Sequence, residues 1–319
     1  MSAAPARRAP GWRVAGLDGC VVVDKPAGMT SHDVVARCRR VLQAARAGHA
    51  GTLDPDATGV LVVGLGAATR LLRFVSGQPK SYSCELVLGS ETTTLDSSGE
   101  VVATYDMRAV TLGDVREAAR GFVGRISQVP PMVSALKIGG RRLHELAREG
   151  VEVPREPRSV EITRLEVEGT DRPGVFRLEV DCSSGTYVRS LAADLGAALG
   201  GGAHLHRLRR SAVGRFSLDS AVPLPLLERA RVRPASELVG HLPRLAPDAE
   251  VREAVAHGRV LERRALGASG DGPWAVVDEN GSLLAVYEAW PGERAKPSVV
   301  LQAGSSAGSG ARPGAIRPA

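Results

Sequence analysis

Apolar residues recur along the chain with two different periods, and together these predict a mixture of helices and strands. Short runs at 19–25 and 60–65 are almost continuously apolar, which predicts strands buried in a sheet. Residues 80–89, 159–169 and 176–182 alternate between apolar and polar positions, as is typical of strands with one face in the core.

Four other segments place apolar residues at helical spacing. The first covers residues 32–47, with Ser31 in the position of an N-cap, and the others cover 68–77, 111–124 and 185–200. Strands and helices are therefore mixed without a strict βαβ rhythm. We predict an α+β fold with a mixed sheet rather than a doubly wound parallel one.

Changes in local composition divide the chain into regions. Residues 220–245 are rich in proline and short apolar steps, as in a linker, and Asn280 with Gly281 predicts the turn of a hairpin. A small β-rich second domain is therefore expected. The predicted organisation is a disordered basic tail at 1–16, a main domain at 17–235, the β-rich domain at 245–302 and a disordered low-complexity tail at 303–319.

Composition indicates a soluble globular protein. The 319 residues are 43% hydrophobic and 24% charged, and no apolar run reaches the roughly 18 residues of a membrane helix. The N-terminus has positive charge without the apolar core of a signal peptide. The four cysteines are scattered, so we expect reduced thiols, a cytoplasmic location and neither disulfides nor a zinc site.

Charge and two weak motifs narrow the chemistry only slightly. A net charge of +6 fits a polyanionic partner, although a coding bias toward arginine explains it equally well. The sequence GLGAAT at 64–69 lacks the third glycine of a dinucleotide loop, so tight strand-to-helix packing is favoured. His204 and His206 have no third ligand at suitable spacing. We expect no cofactor and no metal.

A loop rich in glycine and proline carries the most suggestive polar residues. Residues 46–61, RAGHAGTLDPDATGVL, place His49, Asp54 and Asp56 just before a predicted strand. Two carboxylates could act as acid and base at a glycosidic bond. An Asp–Pro pair in a loop is more often a turn, in which the carboxylate accepts nearby N–H groups. The loop taken alone leaves both interpretations open.

Six blocks in a fixed order resemble one family closely. They are DKPAGMTSHDVV (24–35), AGHAGTLDPDATGVLVVGLGAATR (47–70), KSYSCEL (80–86), QVPPMVSALKIGGRRLHELAREGVEVPREPR (128–158), CSSGTYVRSLAADLG (182–196) and GGAHLHRLRRSAVGRF (201–216). Over about residues 17–220 the chain resembles the bacterial tRNA pseudouridine-55 synthases, the TruB family of pseudouridine synthases. The resemblance implies a mixed-sheet catalytic core, followed by an RNA-binding domain of PUA type at 245–302.

The resemblance also implies an activity and a set of site residues. The expected reaction isomerises uridine 55 in the T-loop of tRNA to pseudouridine after the base has left the RNA stack. The implied roles are the catalytic nucleophile for Asp54, support of the flipped arrangement for His49, stacking on uracil for Tyr82, the pocket wall for Tyr187 and Leu208, and pairing with the catalytic carboxylate for Arg189.

Contacts to the RNA backbone are predicted for the basic run that follows. On a strand, Arg207 and Arg209 would point one way, while Leu208 and Arg210 would point the other. We predict that all three arginines contact phosphate; the alternative is that they pair with acidic residues of the core. The insertion at about 128–158 is expected to be mobile and to fold over the RNA, the alternative being an ordinary amphipathic helix.

Two rival functions remain to be compared with the enzyme. A non-catalytic tRNA-binding or folding protein could use the same scaffold, but the presence of Asp54, Tyr82 and Arg189 favours catalysis. A carboxylate-based nucleoside hydrolase would need a metal cluster or a second well-placed acid. The expected partner is the T-arm stem-loop of tRNA, with no membrane, no protein partner and a monomeric state.

Overall fold

The structure is a computed structural model that describes residues 17–134, 136–151 and 153–301. The described residues fall into two compact units, Leu17–Pro234 and the part from Ala235 onwards. The tails predicted at 1–16 and 303–319 lie outside the described residues. Within the described ranges, none of the helices is both long and apolar enough to span a membrane.

The described residues of the first unit form fourteen strands and five α-helices. The strands are β1 (Gly19–Lys25), β2 (Ala47–His49), β3 (Thr58–Leu65), β4 (Lys80–Leu88), β5 (Ser90–Thr92), β6 (Val101–Thr104), β7 (Gly124–Gln128), β8 (Lys137–Ile138), β9 (Arg141–Arg142), β10 (Arg158–Gly169), β11 (Val175–Cys182), β12 (Ala203–Val213), β13 (Phe216–Ser217) and β14 (Val222–Pro223). The helices are α1 (Ser31–Val41), α2 (Leu72–Ser76), α3 (Leu112–Arg120), α4 (Leu143–Arg148) and α5 (Val188–Ala198).

One large mixed sheet organises this unit. Its strand order is β14-β1-β3-β12-β4-β11-β10-β7, with β2 paired to β3 and β13 paired to β12. Most neighbours are antiparallel, but β1 with β14 and β3 with β12 are parallel. The predicted α+β class with a mixed sheet is therefore confirmed.

The core of the first unit includes two apolar clusters of described residues. One lies where α3 packs on β10 and α5 packs on β12, around Leu86, Leu178 and Leu205. The other lies beneath α1, around Val34 and Val63. The period-two pattern of the strands and the 3.6-residue pattern of the helices bury these residues on facing surfaces.

Helix α1 was predicted at 32–47, but it begins at Ser31 and ends at Val41. Its N-cap is Thr30, whose side chain accepts the N–H of Asp33 in a capping box. The prediction of Ser31 as the cap was wrong by one position, since the Ser31 hydroxyl bonds elsewhere. The predicted helix at 68–77 is a 3₁₀ turn (Gly66–Leu71) that continues into the short α2.

Glycine is required where β3 begins. Gly59 has φ +104°, and a Cβ built there would lie 2.2 Å from the carbonyl oxygen of Arg210 on β12. Only a residue without a side chain can let the two backbones approach so closely. This contact fixes the end of the loop that carries Asp54.

Much of the segment predicted as a linker belongs to the first unit. Strand β14 pairs with β1, and Cys20 and Arg233 exchange two backbone hydrogen bonds of 2.9 and 2.8 Å. Beside β14 lie the 3₁₀ turns Leu218–Ser220, Leu224–Leu226 and Arg229–Arg231. The proline-rich segment therefore lies along an edge of the sheet and is not a linker.

The second unit is built on a five-stranded sheet of order β15-β17-β18-β19-β16. Its elements are the 3₁₀ turn Ala235–Val239, β15 (Arg244–Leu245), α6 (Ala249–Ala256), β16 (Leu261–Glu262), α7 (Arg263–Leu266), β17 (Trp274–Val277), β18 (Leu283–Trp290) and β19 (Arg294–Val300). The predicted hairpin is confirmed: the Asp278 carboxylate accepts the N–H groups of Asn280 and Ser282 at its turn. Trp274 and Tyr287 fill the core of this unit.

Candidate active site

A cavity of about 280 Å³ opens beside the loop that precedes β3. Six of the residues predicted from the sequence line it: Asp54, Tyr82, Tyr187, Arg189, Leu208 and Arg210. They come from a loop, two strands and the start of a helix. The sheet thus gathers residues that lie far apart in the sequence around one polar cavity.

Asp54 and Arg189 form a two-point ion pair on the cavity wall. Arg189 Nε lies 3.0 Å from Asp54 Oδ2, and Arg189 Nη2 donates to Asp54 Oδ1 at 3.2 Å. The same guanidinium donates to the carbonyls of Thr94 and Val133 at 3.0 and 2.7 Å. Because these bonds fix the plane of the guanidinium, they also fix the orientation of the carboxylate.

The charge on Asp54 is set by opposing influences. Desolvation in the cavity raises the pKa of its carboxyl above the ordinary value, and the Arg189 guanidinium counteracts that rise. Asp96, whose Oδ2 lies 3.7 Å from Arg189 Nε, raises the pKa further. The ionised state of Asp54 therefore depends on Arg189.

Two side chains from β1 and α1 hold the backbone on either side of Asp54. The Ser31 hydroxyl accepts the N–H of Leu53 at 2.9 Å and donates to its carbonyl at 3.1 Å. Lys25, which is fully buried, donates to the carbonyl of Pro55 at 2.8 Å. The catalytic candidate thus lies between two residues whose backbone is anchored to other elements.

Arg210 does not lie where the sequence suggested. It was predicted to contact RNA phosphate, but it is only 1% exposed. Its guanidinium donates to the backbone carbonyls of Val60, Thr52 and Gly51 at 2.8, 3.3 and 3.1 Å. The predicted contact of Arg210 with RNA phosphate is therefore wrong, because its guanidinium is already bonded to the backbone of the loop and of β3.

The remaining cavity walls are aromatic and apolar. Tyr82 is 7% exposed, and burial raises the pKa of its hydroxyl, which lies within hydrogen-bonding reach of Arg210. The backbone of Tyr187 is held by the Gln128 amide through bonds of 3.0 and 3.3 Å. Leu208 borders this cavity and a second one of about 220 Å³ on the other side of Asp54.

His49 lies outside the lining of both cavities, on β2. Its ring meets the ring of His32 edge to face, with centroids 5.4 Å apart. Burial is the main cause that lowers the pKa of His49 to about 4, and His32 and Arg210 lower it further. The imidazole is therefore neutral at physiological pH.

Arg207 and Arg209 pair with acidic residues, which was the alternative considered for them. Arg207 Nη1 lies 3.2 Å from Glu85, whereas Arg209 makes two bonds of 2.8 and 3.1 Å to Asp24. Side-chain exposure separates them: 67% for Arg207 and 37% for Arg209. Strict alternation on β12 was wrong, because the register shifts between His206 and Arg209 and Arg207 has φ +50°.

Four residues at the site were not predicted to belong to it. Lys25 and Ser31 hold the loop, Asp96 approaches Arg189, and Lys80 lines the cavity. Lys25 left a signal, since it ends an apolar strand where a charge is unusual. Asp96 lies in a run of Thr and Ser that is typical of an ordinary turn, so the sequence gave little indication of its position.

Comparison with known families places this geometry in context. Residues 39–188 match the TruB family pseudouridylate synthase N-terminal domain, and residues 189–242 match the tRNA pseudouridylate synthase B C-terminal domain. The cavity is lined by residues of both matched regions, with Asp54 in the first and Arg189 in the second.

Similar proteins span nearly the whole chain. The tRNA pseudouridine synthase B of Mycobacterium sp. (strain KMS) is 46% identical over 290 residues, which is 89% of this chain and 96% of that protein. The protein of the same name from Mycobacterium tuberculosis (strain ATCC 25618 / H37Rv) is 44% identical with the same coverage. Among solved structures, a Cbf5-Nop10-Gar1 complex has a TM-score of 0.67 at 28% identity, covering 85% of this chain and 78% of that one.

Fold, cavity and sequence similarity together define a pseudouridine synthase, an isomerase that acts on RNA. The two matched domains, and 44–47% identity over nearly the whole chain, identify the family of pseudouridine synthases. The chain belongs to the TruB family of pseudouridylate synthases.

Proposed function

We propose that this protein isomerises uridine 55 in the T-loop of tRNA to pseudouridine, with the uridine flipped into the cavity and Asp54 as the nucleophile. The observation that carries the proposal is the Asp54–Arg189 pair on the wall of a cavity that also contains Tyr82. A carboxylate oriented and kept ionised by a guanidinium is suited to attack C1′ or C6 of a uridine.

The reaction breaks one bond and forms another within the same nucleotide. The N1–C1′ bond breaks, the uracil turns, and C5 bonds to C1′. The C5 proton is lost and N1 gains a proton, so atoms and electrons balance without an oxidant or a co-reactant. A base inside the RNA stack exposes none of these atoms, which is why flipping is part of the proposal.

Other predicted residues take supporting roles in this proposal. Tyr82 stacks on the uracil, and its hydroxyl is a candidate proton acceptor. Tyr187 and Leu208 border the base, and Arg189 orients Asp54. His49 is neutral and bordered by His32, which suits contact with the space that the flipped base leaves in the RNA. Of the three arginines predicted for the RNA backbone, the exposed Arg207 remains the strongest candidate.

The partner is a tRNA, and we propose that the T-arm stem-loop alone suffices for recognition. We further propose that the protein acts as a monomer in the cytoplasm. The RNA-binding role of the β-rich domain at 245–302, its PUA-like character and the mobility of the insertion at 128–158 stay predictions.

A direct test uses an unmodified T-arm stem-loop RNA and maps pseudouridine after incubation with the full-length protein. The wild-type protein should modify uridine 55 only, and an RNA with cytidine at that position should stay unmodified. Asp54→Asn keeps the shape of the side chain but removes its charge. We expect it to bind the RNA and to form no pseudouridine; turnover at the wild-type rate would rule out Asp54 as the nucleophile.

A further inference from the structure

Lys80 is a buried lysine on the cavity wall that the proposed mechanism does not yet use. It is 8% exposed, and it lines the same cavity as Asp54 and Tyr82. An ammonium group is rarely buried unless something compensates the loss of water. A buried charged side chain at a cavity is therefore a candidate for contact with a ligand.

The contacts of Lys80 leave one donor available. Its Nζ donates to the carbonyls of Ser76 and Gln78 at 3.0 and 2.8 Å, which uses two of its three N–H groups. Among the described residues, no acceptor for the third N–H and no carboxylate partner is found. Burial lowers the pKa of Lys80 to about 8, so the group remains largely protonated at neutral pH.

The position of Lys80 relative to Asp54 follows from strand β4 and from the residues that line the two cavities. Lys80 and Tyr82 are two residues apart on β4, so they point to the same face with a spacing of about 6.6 Å. Asp54 borders both cavities, whereas Lys80 lines the first alone, where its Nζ is bonded to the carbonyls of Ser76 and Gln78. Lys80 therefore lies at the end of the first cavity away from the wall that Asp54 shares with the second.

The other cations of the cavity are committed elsewhere. Arg189 is bound to Asp54 and to two carbonyls, and Arg210 donates to three carbonyls of the loop and strand. Lys80 is thus the cation best placed to meet a ligand at the remote end.

We propose that Lys80 Nζ donates its third hydrogen to the uracil carbonyl that lies opposite the glycosidic bond. The proposal rests on the proposed function, which places C1′ beside Asp54 and the base against Tyr82. In uridine the ring atom opposite N1 is C4, so the acceptor is O4. Cytidine carries an amino group there, and a donor facing a donor is rejected because neither is paired.

The same donor serves both ends of the reaction. Exchanging N1 for C5 at C1′ turns the ring about the axis through N3 and C6, which also exchanges C2 with C4. The atom opposite the new glycosidic bond is therefore O2. Lys80 finds a carbonyl oxygen at one fixed point before and after rotation, and it needs no movement to hold the base in either state.

The test replaces single oxygen atoms of the substrate. T-arm stem-loops carry uridine, 4-thiouridine or 2-thiouridine at the target position, because a thiocarbonyl accepts hydrogen bonds less well. With the wild-type protein, 4-thiouridine should lower kcat/KM about tenfold, the scale expected for a hydrogen bond to a charged donor. 2-Thiouridine should bind with unchanged Kd, because O2 faces Lys80 only after the ring has turned. For the same reason it should react more slowly in a single turnover.

Two variants show whether Lys80 causes the effect. Lys80→Met keeps the length of the side chain and removes the donor, so its kcat/KM should be about tenfold lower with uridine and nearly equal for uridine and 4-thiouridine. Lys25→Met is the matched control, since Lys25 is also buried and also donates to two backbone carbonyls, but it does not line the cavity. With Lys25→Met, kcat/KM for the 4-thiouridine RNA should stay about tenfold below that for the uridine RNA.

The outcomes separate this proposal from the proposed function. Lys80 does not bind O4 if the wild-type protein converts uridine and 4-thiouridine equally well. The same conclusion follows if kcat/KM of Lys80→Met is still about tenfold lower for 4-thiouridine than for uridine. The first comparison needs no variant, so a misfolded Lys80→Met cannot obscure it. A wild-type protein that forms no pseudouridine from the uridine RNA would instead overturn the proposed function.

Discussion

At the residue scale, the site depends on one guanidinium that performs two tasks. Arg189 bonds to both oxygens of Asp54 and also to the carbonyls of Thr94 and Val133, so it joins the carboxylate to two separate loops. A cation in this position opposes the rise in pKa that burial causes in Asp54. Orientation and ionisation of the nucleophile are therefore coupled through a single side chain.

The first prediction concerns the pH dependence that follows from this coupling. Arg189→Gln removes the cation, so the pKa of Asp54 rises further and the carboxylate ionises only at higher pH. We expect the acidic limb of the kcat/KM profile to move to higher pH, with a loss of about 10- to 100-fold at neutral pH. Steady-state kinetics across pH, with a stem-loop RNA as substrate, measure both effects.

Arg164→Gln supplies the control for that experiment. Arg164 pairs with Asp181 at 2.7 Å on an exposed part of the sheet, so the same charge is lost away from the cavity. Its acidic limb should match that of the wild-type protein. Because the position of the limb does not depend on the amount of folded enzyme, an unmoved limb in Arg189→Gln would show that Arg189 does not control the ionisation of Asp54.

At the scale of elements, adjacent residues at the start of α1 have separate tasks. The Thr30 side chain caps the helix, whereas the Ser31 hydroxyl bonds to the backbone of Leu53. Thr30→Ala should lower the free energy of unfolding by about 1 kcal/mol and leave kcat within about twofold. Ser31→Ala should lower stability by about 1–3 kcal/mol and also lower kcat about tenfold, because the loop before Asp54 loses its anchor.

Chemical denaturation and single-turnover kinetics on the two variants test this division. A fall in kcat of the same size in both would mean that general loosening of α1, and not the Ser31–Leu53 contact, limits the reaction.

Another prediction belongs to the junction of β3 and β12. Gly59 and Gly124 have nearly the same φ, +104° and +102°, but only Gly59 faces a backbone atom, the Arg210 carbonyl oxygen. Gly124→Ala should lower the free energy of unfolding by about 1 kcal/mol through backbone strain alone. Gly59→Ala adds a steric clash and should lower it by about 3 kcal/mol or more. Equal losses in denaturant titrations would contradict the close approach of the strands.

Local patterns were sufficient for most elements of the sheet and insufficient for the contacts that build the site. Strands β4, β10 and β11 follow from alternation, because that pattern depends only on neighbouring residues. The burial of Arg210 depends on the carbonyl of Val60, 150 positions away in the sequence. The resemblance supplied the site residues that line the cavity, but it gave no role to Ser31, whose partner becomes visible only when α1 and the loop are folded together.

At the scale of the whole molecule, positive charge is unevenly distributed. Residues 235–301 contain ten Asp and Glu against seven Arg and Lys, although the complete chain has a net charge of +6. Residues 17–234 contain 29 Arg and Lys against 25 Asp and Glu, so the unit with the cavity is the positive one of the two. Because phosphate contacts make RNA affinity depend on salt, this distribution predicts that, of the two units, the one with the cavity contributes more to the salt dependence.

Arg207 is the residue through which this last prediction can be tested. Its side chain is two-thirds exposed and borders the second cavity beside Asp54, whereas Arg209 is held by two bonds to Asp24. Arg207→Gln should weaken tRNA binding and reduce the slope of log K against log salt by about 0.7 to 0.9, the amount for one phosphate contact. Arg209→Gln should instead lower the melting temperature and leave the slope unchanged. Arg294→Gln removes an equal charge from the acidic unit and should change neither quantity. Filter binding across a salt series, with circular dichroism to measure stability, gives all three results; a slope that changes with Arg294 and not with Arg207 would move the phosphate contacts to the β-rich unit.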